Sequence, residues 1–515
     1  MRAGVACDVV NDFLVRSIGD AVAVGAVDAR SARLWVRTTA PGPHEVEVWS
    51  QAERRHGPVL LGPPAGADGT ASFVFPDEVP GAGELSPGTA WRFRVRRGEQ
   101  VLGEGRFETA PASPELAPPR CAIAIMSCHQ PYDDHGALHA PSLETLQVLD
   151  GALRERHVKR VLLMGDQMYA DYPQRLSLFD PAFFATLAPP GRRTIHDCTR
   201  EEVRALYQRR YRAFWSIERF RELLASYPCY PVPDDHEVCD NFGSAPEHAS
   251  PAWEALRDGA LDAFDDYQGL LTAARTVPRR ASFDWSLRYG AVGAFGLDVR
   301  SRRRHDGASL RVCADEQLDA LERWLGASSA LDVVMVVSSV PLAIFPAWVA
   351  SLGSRLLGKD SDAADRWSHP DAAGSRRRLT AMLFEHQRRN PRQRVLLLGG
   401  DIHIGCAVRF VWRDRAVPPL YQLVSSSVSN LTDALRRKLG KAVAHLDGGA
   451  DDLWERSELL PGAPGADANP FDGLNAGVVG IARRPDGGHD VSFELISHAP
   501  GSPPRARAVF STALT

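Results

Sequence analysis

Six residues of metal-ligand type recur at equivalent places along this chain: Cys128, Asp166, Tyr169, Asp235, Asp401 and His403. Each follows a short apolar run. Residues 123–127 lead into Cys128-His129, and 161–164 into Gly165-Asp166-Gln167-Met168-Tyr169. Residues 229–233 lead into Asp234-Asp235-His236-Glu237, and 395–398 into Gly399-Gly400-Asp401-Ile402-His403. A short apolar run bounded by Gly or Pro reads as a buried strand. In open α/β sheets, ligands sit beyond the carboxyl ends of the strands. One buried carboxylate can be a structural accident. Four polar clusters in the same position relative to a strand argue for a metal centre.

The residue types say which metals. Asp166 comes directly after a strand and a glycine, where its two oxygens can bridge two cations. Tyr169 offers a phenolate, a hard anionic ligand suited to ferric iron. Cys128 offers a thiolate, which hard alkaline-earth ions disfavour. That combination points to a transition metal, iron first. Asp235 and Asp401 are oxygen donors suited to Ca²⁺, Mg²⁺ or Mn²⁺. The expectation is an asymmetric pair. A softer position uses Cys128, Asp166, Tyr169 and His403, and a harder one uses Asp166, Asp235 and Asp401. Two adjacent metals clamp a phosphoryl group and acidify a water. His236, next to Asp235, is placed to protonate the leaving alkoxide as general acid, with Glu237 or Asp234 orienting its ring. Arg300, in Asp298-Val299-Arg300, reads either as a phosphate clamp or as a structural partner of Asp298. His129, Asp133, Asp134, His135 and His139 read as a polar rim. Ser425, Ser426, Ser427 and Asn475 read as a turn that borders the site or as purely structural residues. Trp348 and its apolar neighbours read as core rather than as a lid.

These clusters need a scaffold. Residues 1–112 look all-β: 32–37, 45–49, 72–75 and 91–95 alternate apolar and polar, and 105–109 follow as a further short strand. This pattern fits a small β-sandwich of immunoglobulin or fibronectin type. Four prolines in residues 111–119 make a linker. From Arg120 onward, strand-like runs alternate with helical stretches at 142–156, 200–226, 251–274, 314–325 and 375–389, giving an α/β layered domain over 120–515. Residues 171–228 form a largely helical insertion, and 282–289 with 291–297 form a hairpin at Tyr289-Gly290. Residues 333–337 and 421–424 are inner strands, and 440–474 form a long, Gly-, Asp- and Pro-rich loop.

Composition narrows the function classes. The chain has 515 residues, 44% hydrophobic and 24% charged, and its net charge of −4 gives no electrostatic basis for binding nucleic acid. Basic runs (Arg300 with 302–304, 376–378, 436–438) read as solvated faces, the first partly excepted because it follows a strand. No run spans a bilayer, since Ser351, Ser354 and Arg355 break the nearest, 342–357. Asp8, Asn11 and Asp12 interrupt any secretory h-region. A cytoplasmic location with its 8 cysteines reduced is therefore expected. Oligomeric state is not legible.

In this order, the clusters resemble the calcineurin-like metallophosphoesterase superfamily. Their particular residues resemble its PhoD-like alkaline phosphatase family. Cys128 stands at the first ligand position. Asp166 and Tyr169 match Gly-Asp-x-x-Tyr, Asp234-Asp235-His236-Glu237 matches Asp-Asp-His-Glu, and Gly400-Asp401-Ile402-His403 matches Gly-Asp-x-His. Asp298-Val299-Arg300 is similar to the family's Asp-x-Arg element, and the closing Phe107-Glu108-Thr109-Ala110-Pro111 to the end of its N-terminal domain. The resemblance covers about residues 20–430. It implies an α/β/β/α sandwich behind a small all-β domain. It also implies a ferric ion with a second divalent metal, calcium first and manganese or magnesium as alternatives. The implied substrates are phosphodiesters and phosphomonoesters of small molecules or lipids. Export is implied too, in tension with the missing signal. Ser338-Ser339 stand where the superfamily often places a ligating His, which implies a looser second metal. Two rival readings are a non-catalytic recognition protein on a phosphatase fold and a metal-dependent hydrolase of a non-phosphate ester. The full set Asp166, His236, Asp401 and His403 argues against the first.

Overall fold

The computed structural model describes residues 12–63, 65–274, 281–342, 351–352, 362–430, 453–467, 469–499, 501 and 503–514. The N-terminal strands are β1 (Ala21–Val27), β2 (Ala32–Arg37), β3 (Gly42–Trp49), β4 (Arg54–Leu61), β5 (Thr70–Phe75), β6 (Ala90–Arg97) and β7 (Gln100–Glu108). They form a three-stranded sheet, β1-β2-β5, and a four-stranded sheet, β4-β3-β6-β7, all antiparallel. Alternate residues such as Leu34, Val46, Val48, Phe73, Trp91 and Phe93 fill a shared core between them. Residues 111–119 hold only a 3₁₀ turn, Pro114–Leu116.

The next stretch carries β8 (Arg120–Met126), α1 (Ala140–Glu155) and β9 (Val158–Met164). The expected insertion follows with α2 (Pro181–Ala185), α3 (Arg200–Phe214) and α4 (Glu218–Leu224), then β10 (Cys229–Val232) and α5 (Glu254–Tyr267). A reciprocal cap starts α3: Thr199 accepts from the Glu202 amide, and the Glu202 carboxylate accepts from the Thr199 amide. Next come β11 (Trp285–Tyr289), β12 (Val292–Leu297), the ribbon β13 (Arg304–His305) and β14 (Leu310–Arg311), α6 (Asp315–Ala327) and β15 (Val333–Ser338). The hairpin turns where expected, with Gly290 at φ +59°. After α7 (Ala373–Arg389) come β16 (Arg394–Gly399), β17 (Cys406–Trp412), β18 (Leu420–Val424), β19 (Trp454–Leu459), β20 (Ala476–Arg483), β21 (His489–Ala499) and β22 (Arg505–Leu514).

Two large sheets result, ordered β10-β9-β8-β20-β21-β22 and β11-β12-β15-β16-β18-β17-β19. Their inner strands alternate with period two. Ile123, Ile125, Leu162 and Met164 of the first sheet meet Met335, Val337, Leu396 and Leu398 of the second in one inter-sheet core. The intervening residues face outward: Ala124, Met126 and Leu163 pack with α1, α3 and α5, and Val334, Val336 and Leu397 pack with α6 and α7. The architecture is therefore an α/β/β/α sandwich behind an all-β region, as expected.

The expectation for 440–474 needs correction. Residues 431–452 lie outside the described residues, but Trp454–Leu459 is no loop. It pairs with β17 as an edge strand. The apolar segment around Trp348 also lies outside the described residues. The C-terminal strands, unassigned from sequence, complete the first sheet: β20 pairs antiparallel with β8, the strand that delivers Cys128.

Candidate metal centre

The strands β8, β9 and β10 run parallel, as do β12, β15, β16 and β18, so their carboxyl ends lie on one side. Cys128, Asp166, Asp235 and Asp401 all follow such ends. Two contacts tie the sheets together there: Ser127 Oγ donates to the Ser425 carbonyl at 3.0 Å, and the Val428 amide donates to Ser127 O at 2.9 Å. Glycine lets the loops close in. A Cβ on Gly165, at φ +86°, would lie 2.3 Å from Asp234 Cβ, and one on Gly400 would lie 2.6 Å from Ser127 Cβ. Cys128, Asp166, Asp401 and His403 all adopt left-handed backbone, with φ between 54° and 62°. Four non-glycine residues in that region at one site mark strain that the surroundings must hold.

The side chains form overlapping sets. Cys128, Asp166 and His403 offer ligand atoms within 4.8 Å of one another; so do Asp166, Asp235 and His236, and so do Asp234, Asp235 and Asp401. Asp166 thus belongs to two groups. The Cys128 thiol lies 3.4 Å from Asp166 Oδ2, and the Tyr169 hydroxyl donates to that same oxygen at 3.1 Å. Among the described residues Asp166 Oδ1 and Asp234 Oδ2 are buried without a hydrogen-bond partner, and Asp235 Oδ1 has only the Arg300 guanidinium 3.8 Å away. Buried carboxylate oxygens left this way are costly unless a cation takes them. The electrostatics agree. Burial, then Cys128 and the neighbouring aspartates, hold the Asp166 carboxyl well above the usual range. Burial pushes the Cys128 thiol up to about 11, and burial followed by Asp166 raises the Tyr169 phenol. Negative charge is crowded here in a way that bound cations would relieve. Sulfur, imidazole and carboxylate donors thus gather at one place in groups that could hold a metal ion.

His236 caps this arrangement. Its Nδ1 is 2.7 Å from Asp171 Oδ1, and Asp171 Oδ2 accepts from the Asp240 amide at 2.5 Å. Burial alone would lower its pKa, but Asp171, then Asp235 and Asp166, outweigh burial and raise it above the ordinary imidazole value. The expected orienting groups, Glu237 and Asp234, do other work. Glu237 accepts from the amides of Asp166, Gln167 and Asp234 at 2.9, 2.6 and 2.8 Å, so it braces the two ligand loops against each other. Asp234 pairs with Arg300.

Arg300 itself needs a correction. Its side chain is 1% exposed and is spent on Asp234, Asp365 and the Phe242 carbonyl. Nor is Asp298 its charge partner, since Asp298 Oδ1 accepts instead from the Arg300 backbone amide at 3.0 Å. Arg300 fixes the loop of Asp234 and Asp235 and has no open face for a phosphate. The polar rim around Cys128 is also revised. His129 is fully buried, stacked on Phe220 with ring centres 3.9 Å apart, and burial holds its pKa down at about 3. Asp133 accepts from the amides of His135 and Ala137 in its own turn.

Sequence reasoning missed several groups. Asp171 lies two positions beyond Tyr169, and that acidic position in the Gly-Asp-x-x-Tyr loop was the available signal. Arg366 pairs with Asp401. The Asn430 amide donates to Tyr169 Oη at 3.0 Å and lies 3.3 Å from His403 Nε2. Ser426, already read from sequence as bordering the site or as purely structural, has its Oγ 3.1 Å from Cys128 Sγ and accepts from the His403 amide at 3.0 Å. Arg366 and Asn430 carry no local motif that would have marked them.

No curated protein matches the chain. The solved structure of PhoD shares the fold: TM-score 0.66 and 17% identity, covering 96% of this chain and 91% of that one. Among the described residues no helix is long and apolar enough to cross a membrane. The PhoD-like phosphatase family model matches residues 123–448, from inside β8 to beyond the Gly-Asp-x-His loop. That match spans well over half of the chain, and the chain belongs to the PhoD-like phosphatase family of metal-dependent phosphoesterases.

Proposed function

We propose that the protein hydrolyses phosphodiesters or phosphomonoesters of small molecules or lipids at a centre of two unlike cations. The observation that carries this reading is the pair of three-residue ligand sets, Cys128–Asp166–His403 and Asp234–Asp235–Asp401, with Asp166 reaching toward both through the set it shares with Asp235 and His236. Cys128, Asp166, Tyr169 and His403 would hold iron. Asp166, Asp235 and Asp401, with Asp234 added by the geometry, would hold calcium, or manganese or magnesium in its place. Such a pair of cations supplies charge neutralisation to a phosphoryl group and an acidified water.

The chain's own residues do the rest. His236, held by Asp171, donates its proton to the leaving oxygen. Arg300 and Glu237 hold the loops of Asp234–Asp235 and Asp166 in place. The side chain of His236 is 16% exposed, so the ring is reachable from outside. A second role for His236, as a ligand, is favoured by its place beside Asp166 and Asp235. The test is hydrolysis of chromogenic phosphate mono- and diesters before and after removal of metals with a chelator. Activity should vanish and should return only with iron plus a divalent ion. Full activity in metal-free protein would refute the reading.

A further inference from the structure

The basic run at 302–304 is not simply a solvated face. With Arg200, Arg257 and Arg311 it lines a cavity of about 470 Å³ away from the candidate centre. Six arginines and one acidic residue, Asp258, line it, and Arg257 holds Asp258 at 3.0 Å. Arg200 is committed to Asp262, with contacts of 2.6 and 2.8 Å. Arg303 is buried, donating to Ser244 Oγ at 2.9 Å and to the Asp365 carbonyl at 2.6 Å. Its Nη1 has no hydrogen-bond partner among the described residues. Arg302, Arg304 and Arg311 make no ion pair among the described residues.

Two of these are placed against their own interest. Arg304 and Arg311 are direct cross-strand partners in the β13–β14 ribbon. Like charges directly opposite each other destabilise a strand pair. The nearby acid, Asp306, does not relieve them, because its carboxylate accepts from the amides of Ala308 and Ser309 at 2.9 and 2.7 Å in the ribbon's own turn. The fold therefore keeps three uncompensated guanidiniums around a concave space of small-ligand size. Guanidinium forks match phosphate oxygens in pairs.

We infer that this cavity binds a small anion carrying two or more phosphate groups, with Arg302, Arg304 and Arg311 as its main contacts. The cavity is tied to the centre, since Arg303 and Arg300 share Asp365, and Arg300 holds Asp234. The inference does not depend on the hydrolytic reading.

The experiment is calorimetric titration of the full chain with inorganic tripolyphosphate, comparing wild type, Arg302→Ala/Arg304→Ala/Arg311→Ala, and Asp401→Ala. The triple variant should bind at least ~10-fold more weakly, the scale of losing about one charge-assisted contact or more. Asp401→Ala, which removes a candidate metal ligand that does not line the cavity, should keep wild-type affinity. The ligand-free triple variant should melt no lower than wild type, because it has lost a repulsive pair. Equal affinity in wild type and triple variant, or binding lost only in Asp401→Ala, would place the anion at the metal centre and overturn the inference. Absence of wild-type binding at millimolar tripolyphosphate would overturn it too, as would a triple variant destabilised without ligand, which would make these arginines structural.

Discussion

At the scale of the residue, the outcome turns on His236. Its hydrogen bond to Asp171 and its reachable ring suit an acid better than a buried ligand. His236→Ala should lower kcat by about 10²–10⁴-fold with the metals retained. The loss should shrink for esters whose leaving group needs no proton, such as nitrophenolate. Equal losses across leaving groups, together with loss of metal, would make His236 a ligand instead. The candidate ligands stood out in the sequence because each follows a strand-like run and their types have distinct metal preferences. Arg300 was misjudged because a sequence shows an arginine near a site but not its neighbours; Asp365, which claims it, lies 65 positions away. Asp171 was missed for a related reason: whether Glu237, Asp234 or Asp171 faces the imidazole depends on how two loops cross.

At the scale of the element, the strand ends are held by close approach. Gly165 sits where any side chain would strike Asp234. Its φ of +86° adds a backbone penalty for any L residue. Gly165→Ala should destabilise the protein by roughly 1–3 kcal/mol and deplete bound metal, because Asp166 and Asp234 would be pushed apart. Urea denaturation paired with metal analysis checks this, and a variant with unchanged stability and metal content would refute it. The N-terminal strands were readable from period-two alternation, and the strands before the candidate ligands from short apolar runs, because 123–126 and 395–398 are buried on both faces. β1, Ala21–Val27, was not read, although it is also an apolar run buried along almost its whole length. β19 was hidden in a segment whose Gly, Asp and Pro content suggested a loop. Strand ends can be read locally, but strand neighbours cannot: nothing near residues 476–514 announces that they pair with β8.

At the scale of the whole molecule, the N-terminal sheets are clasped to the helical insertion. Asp68 pairs with Arg37 of β2 at 3.2 Å and with Arg212 of α3 at 2.7 Å, and it accepts from the Tyr267 hydroxyl of α5 at 2.5 Å. Burial would raise its pKa, but these three donors outweigh burial and hold the carboxyl below its ordinary value. A depressed folded-state pKa contributes stability above the unfolded value of about 3.9, and that contribution is lost as pH falls through the folded value. Asp68→Asn should therefore cost about 1–3 kcal/mol at neutral pH, and the difference from wild type should shrink once the pH drops below about 4. Urea unfolding at neutral and acid pH reads this directly, and a difference independent of pH would contradict it. The same long-range logic makes the metal centre a property of the whole fold, since Cys128 and Asp166 come from one sheet while Asp401 and His403 come from the other. The most direct test of that centre is elemental analysis of purified wild type, Cys128→Ala and Asp401→Ala. Wild type should hold about two metal ions per chain, one of them iron. Cys128→Ala should lose mainly iron, and Asp401→Ala mainly the second metal. A wild type without bound metal, or an Asp401→Ala variant that loses iron while keeping the second ion, would contradict the account.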